Sequence, residues 1–226
     1  MSKSVLIKSS LAKKYWMAGT GLFLCLFLVG HLLGNLQLLL PSETASDSFN
    51  LYAQFMTTNP VVKILSYITY FSILFHAIDG ILLVVQNKKA RPVQYAYNKP
   101  SANSNWASRN MGLLGTVLLL FLIIHMRSFW YEMHFGEVPK VLIDGENVKD
   151  LYSITTSAFQ ELWYVLLYVL CMIAIAFHLS HGFSSAFQTI GASHPKYSPI
   201  IKKIGYAFGI LIPFAFAIIP LALYFR

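Results

Sequence analysis

Charge is what this 226-residue sequence has least of. Its 17 Lys and Arg and 9 Asp and Glu make up 12% of the chain, against roughly 25% in a soluble domain. A water-soluble protein of this length needs a charged surface, and this composition does not supply one. Acidic residues are the scarcer sign, which leaves a formal net charge of +8. In a soluble protein that excess would raise nucleic acid as a partner; here the cations lie between apolar blocks, so no nucleic-acid partner is expected. Cysteine is almost missing. Cys25 and Cys171 sit far apart inside apolar blocks, which excludes a disulfide framework and a zinc-binding spacing. The alternating short strands of a membrane β-barrel are lacking, as are tandem repeats and a separate soluble domain.

What is present is apolar sequence in long runs. Hydrophobic residues are 56% of the chain, and they gather in five blocks at about 14–40, 61–87, 109–133, 157–188 and 203–225. A hydrocarbon core of about 30 Å takes roughly 20 helical residues to cross, and irregular backbone in lipid would leave polar groups unpaired. The blocks therefore predict an all-α integral membrane protein of five transmembrane helices, one domain over residues 1–226. Loop chemistry is expected from Pro41 to Pro60, Asn87 to Trp106, His134 to Ser157 and Gly191 to Pro199. The first block follows Lys13 and Lys14 in the manner of a signal peptide. It runs on too long and has no clear small-residue cleavage site, so a retained helix is expected.

The loops alternate in charge. Lys3, Lys8, Lys13 and Lys14 precede the first block, Lys88, Lys89, Arg91, Lys99 and Arg109 follow the second, and Lys196, Lys202 and Lys203 follow the fourth. The first and third loops carry Glu43, Asp47, Glu137, Asp144, Glu146 and Asp150, with only Lys63, Lys140 and Lys149 in or beside them. Positive residues stay cytoplasmic, so the pattern predicts a cytoplasmic N-terminus and an outside C-terminus across a bacterial inner (cytoplasmic) membrane.

An ionisable residue inside a membrane helix is costly and marks a functional site by default. Each of the first four blocks contains one: His31, His76, His125 and His178. A polar residue hydrogen-bonded between helices would account for any single one. One in each of four successive helices, at paired depths, asks for more. His31 lies ten residues before Pro41 and His125 seven before Glu132, roughly 10–15 Å below the outer end at about 1.5 Å per residue. His76 lies twelve residues before Lys88 and His178 ten before Gln188, about 15–18 Å from the inner end. The histidines thus sort into an outer pair, His31 with His125, and an inner pair, His76 with His178. Two neutral imidazoles facing each other between helices supply what a six-coordinate b-type haem requires of the protein. Cys-x-x-Cys-His is absent, which excludes covalent attachment.

Gly34, Gly80 and Gly182 follow His31, His76 and His178 by three or four residues and share their faces. A missing side chain there admits either a flat macrocycle or a neighbouring helix. His134 and His194 fall in loops. His181 competes with His178, and spacing does not separate them. Asp79, three residues after His76, is expected to meet His181 directly or through water beside the inner site.

Gly19-Thr20-Gly21 through Gly30-His31, Phe75-His76-Ala77 through Gly80, and Phe177-His178 through Gly182 with Ser184-Ser-Ala-Phe carry a family likeness. Together they resemble the cytochrome b558-type membrane anchor of succinate dehydrogenases and fumarate reductases, the five-helix, two-haem class, over nearly the whole chain. The resemblance implies that His31 and His125 ligate a distal haem and His76 and His178 a proximal one. It assigns the helix IV ligand to His178, which follows an aromatic residue and precedes glycine by four. It further implies two haem b, menaquinone as substrate, and cytoplasmic flavoprotein and iron–sulfur partner subunits, with an oligomer of the whole complex compatible with it. The chain itself would be the electron-transfer and quinone-reactive subunit, with no residue catalysing succinate chemistry. Some family members have a glutamate where this chain has Ala176, which leaves a proton pathway there without its carboxylate. Candidates for the quinone region are Gln54, Arg127, Glu132 and His134. Candidates for haem propionates are Lys63, Arg127, Lys88 and Arg109, and for docking the basic loops with Tyr95, Tyr97 and Trp106. The runner-up is the cytochrome b anchor of another quinone-linked dehydrogenase or hydrogenase.

Overall fold

The computed structural model describes residues 10–90 and 99–226. Five helices are long and apolar enough to cross a membrane, the pattern of a multi-pass membrane protein. The first crosses as α1 (Ser10–Asn35) and a 3₁₀ extension, Leu36–Leu39. The second is α3 (Pro60–Lys89), entered after α2 (Ser42–Thr58). A short α4 (Trp106–Arg109) leads into α5 (Met111–His125), which continues through a π-helical turn, Met126–Tyr131, into α6 (Glu132–Phe135). After α7 (Leu151–Ala158) come α8 (Leu162–Thr189) and α9 (Ser198–Tyr224). Large apolar side chains stand outward all along them: Leu26 is 73% exposed, Leu170 64% and Phe214 63%. In water such surface would be untenable; lipid is the solvent it fits.

α8 is the central strut. It packs on α1, α5 and α9, while α3 closes the group against α1 and α5. The contact with α9 depends on small residues. A Cβ added at Gly205 would lie 2.9 Å from Ser184 Oγ, and one at Gly209 would lie 2.7 Å from the Ser180 backbone nitrogen. Small residues four apart on both helices let the backbones come this close, the usual route to helix association in lipid. Nearer the other end, Leu32, Leu38, Phe159, Tyr164, Val165, Tyr168, Ile219 and Leu223 form a buried cluster joining α1, α8 and α9.

The two acidic loops are more ordered than expected. Residues 42–58, expected as loop, form α2. Its chain then re-enters the bundle at Asn59, whose Oδ1 accepts from the amides of Val61 (2.9 Å) and Val62 (3.3 Å), with Pro60 at the first helical position. The third loop holds an antiparallel hairpin, β1 (Lys140–Ile143) and β2 (Glu146–Lys149), so the fold is not purely α. Asp144 and Gly145, with φ of 50° and 83°, make the two-residue turn; both residues require the left-handed region that Asp-Gly favours. The fourth apolar block also divides: Asp150 Oδ1 caps α7 by accepting from Ser153 N at 3.1 Å, and the membrane helix starts only at Leu162. Asn50, fully buried, joins these pieces. Its Nδ2 donates to Asp150 Oδ1 (3.0 Å) and its Oδ1 accepts from Tyr152 N (2.9 Å). α2, the hairpin and α7 thus form one cap, at what is called below the hairpin end. The opposite end carries Lys88, Lys89, Lys196, Lys202 and Lys203.

Candidate functional site

Two histidine pairs sit inside the bundle, each joining helices that are not sequence neighbours. Nearer the hairpin end, His31 of α1 faces His125 of α5, with ring centroids 5.8 Å apart and planes at 88°. Nearer the lysine end, His76 of α3 faces His178 of α8, with centroids 6.1 Å apart and planes at 65°. The pairing is the one anticipated from residue counting. Among the described residues no three His, Cys, Asp or Glu side chains gather as a ligand group, so each pair offers two imidazoles and no more.

That donor set can be tested against the expected group. A zinc site takes three or four protein ligands, whereas a haem leaves the protein only its two axial positions. Two imidazoles on opposite sides of one metal, each bonded at about 2.0 Å, hold their centroids about 6 Å apart. Both pairs have that separation. Ring atoms away from the gap are held as well. His125 Nδ1 is 3.0 Å from the Tyr168 hydroxyl, itself 3.0 Å from the hydroxyl of Tyr164 one turn away on α8. His76 Nδ1 is 3.2 Å from Thr20 Oγ1 on α1. A ligating imidazole ordinarily has such a partner on its other nitrogen, which fixes its tautomer and orientation. His31 is flanked by Phe27 (5.3 Å) and Phe216 (5.6 Å), and His125 by Phe121 (5.8 Å) and Phe129 (5.4 Å). Among the described residues the buried His178 Nδ1 has no hydrogen-bond partner. The residues fit the group.

The glycines divide. A Cβ at Gly34 would run into the Tyr52 ring, so this glycine admits a side chain of α2. Gly80 lies against Met17 of α1, where a Cβ would be 3.5 Å from the methionine methyl, and Gly182 faces open space. Of the hairpin-end candidates, Gln54 Nε2 donates to Glu146 Oε2 at 3.2 Å. Arg127 pairs with Glu132 and stacks over Tyr131, 4.6 Å from its centroid. His134 Nδ1 donates to the Trp130 carbonyl at 2.8 Å. These groups belong to the exposed cap region and do not converge on one point. Lys63 and Lys88 are exposed, Arg109 donates to the Ser104 carbonyl, and Trp106 packs on Phe177 at 5.3 Å. Tyr95 and Tyr97 lie outside the described residues.

Asp79 and His181 are not joined by a hydrogen bond or ion pair. His181 lines a polar cleft of about 340 Å³ with Asn105, Ser108, Ser184, Lys202 and Tyr206, where α8 and α9 meet the segment around α4. The equal three-residue offsets from His76 and His178 thus do not produce a direct bond between the two side chains. Sequence reasoning missed Thr20 and Tyr168. Neither is close in sequence to the histidine it touches, and only the packing of α1 on α3 and α5 on α8 reveals them. No protein-family model, curated protein or solved structure matches the chain.

Proposed function

We propose that this chain is the membrane-anchor cytochrome b subunit of a succinate:quinone oxidoreductase, carrying electrons between an iron–sulfur subunit and membrane menaquinone through two b haems. The observation that carries the reading is the pair of histidine pairs, 5.8 and 6.1 Å between centroids, on four helices and at two depths. His31 and His125 would hold one haem, and His76 and His178 the other. Haem, when bound, supplies reversible one-electron chemistry at a potential set by axial ligands, burial and hydrogen bonds to those ligands. The chain's own contribution is to orient the imidazoles: Tyr168 meets His125, Thr20 meets His76, and the surrounding Phe rings exclude water. The basic loops, read as cytoplasmic, would meet the flavoprotein and iron–sulfur partners, and the quinone would react near the His31–His125 pair. The succinate assignment rests on the motif resemblance; the anchor of another quinone-linked dehydrogenase or hydrogenase would use the same two pairs.

A reduced-minus-oxidised spectrum with a pyridine haemochrome assay on the purified chain tests the haem reading. Two b haems per chain are expected, and one or none refutes it. Co-purification of a flavoprotein with succinate–quinone activity separates the succinate reading from the runner-up.

A further inference from the structure

The contact between α1 and His76 lies outside the four-ligand reading and is chemically specific. Thr20, 7% exposed, has a single hydroxyl proton, and its Oγ1 is 2.7 Å from the Trp16 carbonyl one turn back. That carbonyl has no proton to give, so the hydroxyl donates to it. What Thr20 Oγ1 then presents to His76 Nδ1, at 3.2 Å, is a lone pair. An acceptor facing Nδ1 calls for that nitrogen to carry the proton. Gly21 completes the seat: a Cβ there would lie 3.2 Å from His76 Cε1 and 3.6 Å from Nδ1, so the Nδ1–Cε1 edge rests directly on the α1 backbone.

We propose that Thr20, seated with Gly21 on α1, is a positioning residue for His76, holding it as the Nδ1–H tautomer so that Nε2 is the basic nitrogen offered to a metal. The inference deepens the haem reading and rests on it for its effect on potential, though the tautomer is a property of the chain alone. An acceptor on Nδ1–H makes the imidazole a stronger donor, which favours the oxidised metal and lowers the potential. His178, whose Nδ1 has no hydrogen-bond partner among the described residues, lacks this aid, so the two histidines of this pair are inequivalent.

The experiment has two arms. In the first, the protein is labelled with ring-¹⁵N histidine and the His76 signals, assigned by their loss in His76→Gln, are read by solid-state NMR without added haem. The expected result is a protonated Nδ1 and an unprotonated Nε2; the reverse tautomer overturns the proposal whether or not haem binds. In the second, haem-loaded protein is titrated optically. Thr20→Val is expected to raise the potential of one haem only, the one lost in His178→Ala. At a fixed ambient potential its reduced-to-oxidised ratio should rise about tenfold, or about 59 mV for one electron. Thr20→Ser, which keeps the hydroxyl, should restore it. Should Thr20→Val lose that haem altogether, Thr20→Ser must still retain it. An unchanged potential in Thr20→Val, or a serine variant behaving like valine, overturns the proposal while the haem reading stands. Absence of haem from the unmodified protein refutes the haem reading and leaves the NMR arm to decide on Thr20.

Discussion

Replacing Gly209 by alanine should loosen the molecule where the backbones of α8 and α9 meet closely, and the structure says by how much. The added Cβ would lie 2.5 Å from Ser180 Oγ, 2.7 Å from the Ser180 nitrogen and 2.9 Å from its Cα. A hydroxyl can rotate away, but the backbone atoms cannot. Restoring an ordinary contact of about 3.5 Å therefore parts α8 and α9 locally by about 0.8 Å, enough to forfeit a quarter to a half of the dispersion attraction across the gap. Overpacking of this kind costs about 1–3 kcal/mol, a fivefold or larger fall in the folded-to-unfolded ratio. Since α8 carries His178 only two residues before Ser180, the shift should also weaken haem retention at the His76–His178 pair. The assay is unfolding in mixed micelles, followed by helicity and by the visible absorption. Two companions isolate the cause. At Gly205→Ala the three nearest atoms all belong to side chains, Ser184 Oγ at 2.9 Å, Phe183 Cδ1 at 3.0 Å and Phe183 Cβ at 3.4 Å, so it should cost less and be relieved in part by Ser184→Ala. Gly209→Ala should not be relieved by Ser180→Gly, because the nitrogen and Cα remain. A Gly209→Ala protein as stable as its parent, or one fully rescued by Ser180→Gly, would refute the reasoning.

Other perturbations have equally definite outcomes. His31→Ala or His125→Ala should remove one b haem and His76→Ala or His178→Ala the other, each halving the haemochrome yield; if His181→Ala removes a haem and His178→Ala does not, the assignment on α8 is wrong. Tyr168→Phe strands His125 Nδ1 in a buried site, a cost of about 1–3 kcal/mol in stability, and should move the potential of the haem that His31→Ala abolishes while leaving the other unchanged. Asn50→Ala removes both ties between α2 and the start of α7, and should cost about 1–3 kcal/mol and speed amide exchange through residues 42–58, with the membrane helices unaffected.

The five membrane helices and the histidine pairing were legible because lipid leaves little choice. A run such as Leu113–Ile124 admits only a helix, and residue counting along helices of fixed rise puts His31 level with His125. The cap was not legible in the same way. Residues 42–58 mix Ser, Thr, Asn and Asp with scattered apolar positions, and their helix is stabilised by tertiary ties, among them Asn50 to Asp150 a hundred residues away. The hairpin did have a local sign, Asp144-Gly145 directly after the short apolar run Val141–Ile143, which the polar sequence on its other side obscured. Gly34 illustrates the limit for single residues. Its spacing from His31 is that of a glycine making room, but what fills the room is Tyr52, from an element that periodicity alone did not predict. Thr20 and Tyr168 belong to the same class, since a hydrogen bond between helices is set by their rotation about their axes.

The π-helical turn at Met126–Tyr131 gives this span an uneven tolerance of altered length. A π turn is an α-helix with one residue too many, so losing a residue within it returns the backbone to regular α geometry and keeps both flanks on their original faces. The same deletion a few residues earlier, at Leu118, would swing His125 through about 100° about the helix axis, away from His31. A shortened variant should therefore keep its His31–His125 site when the missing residue comes from 126–131, and lose it when the residue comes from 112–124.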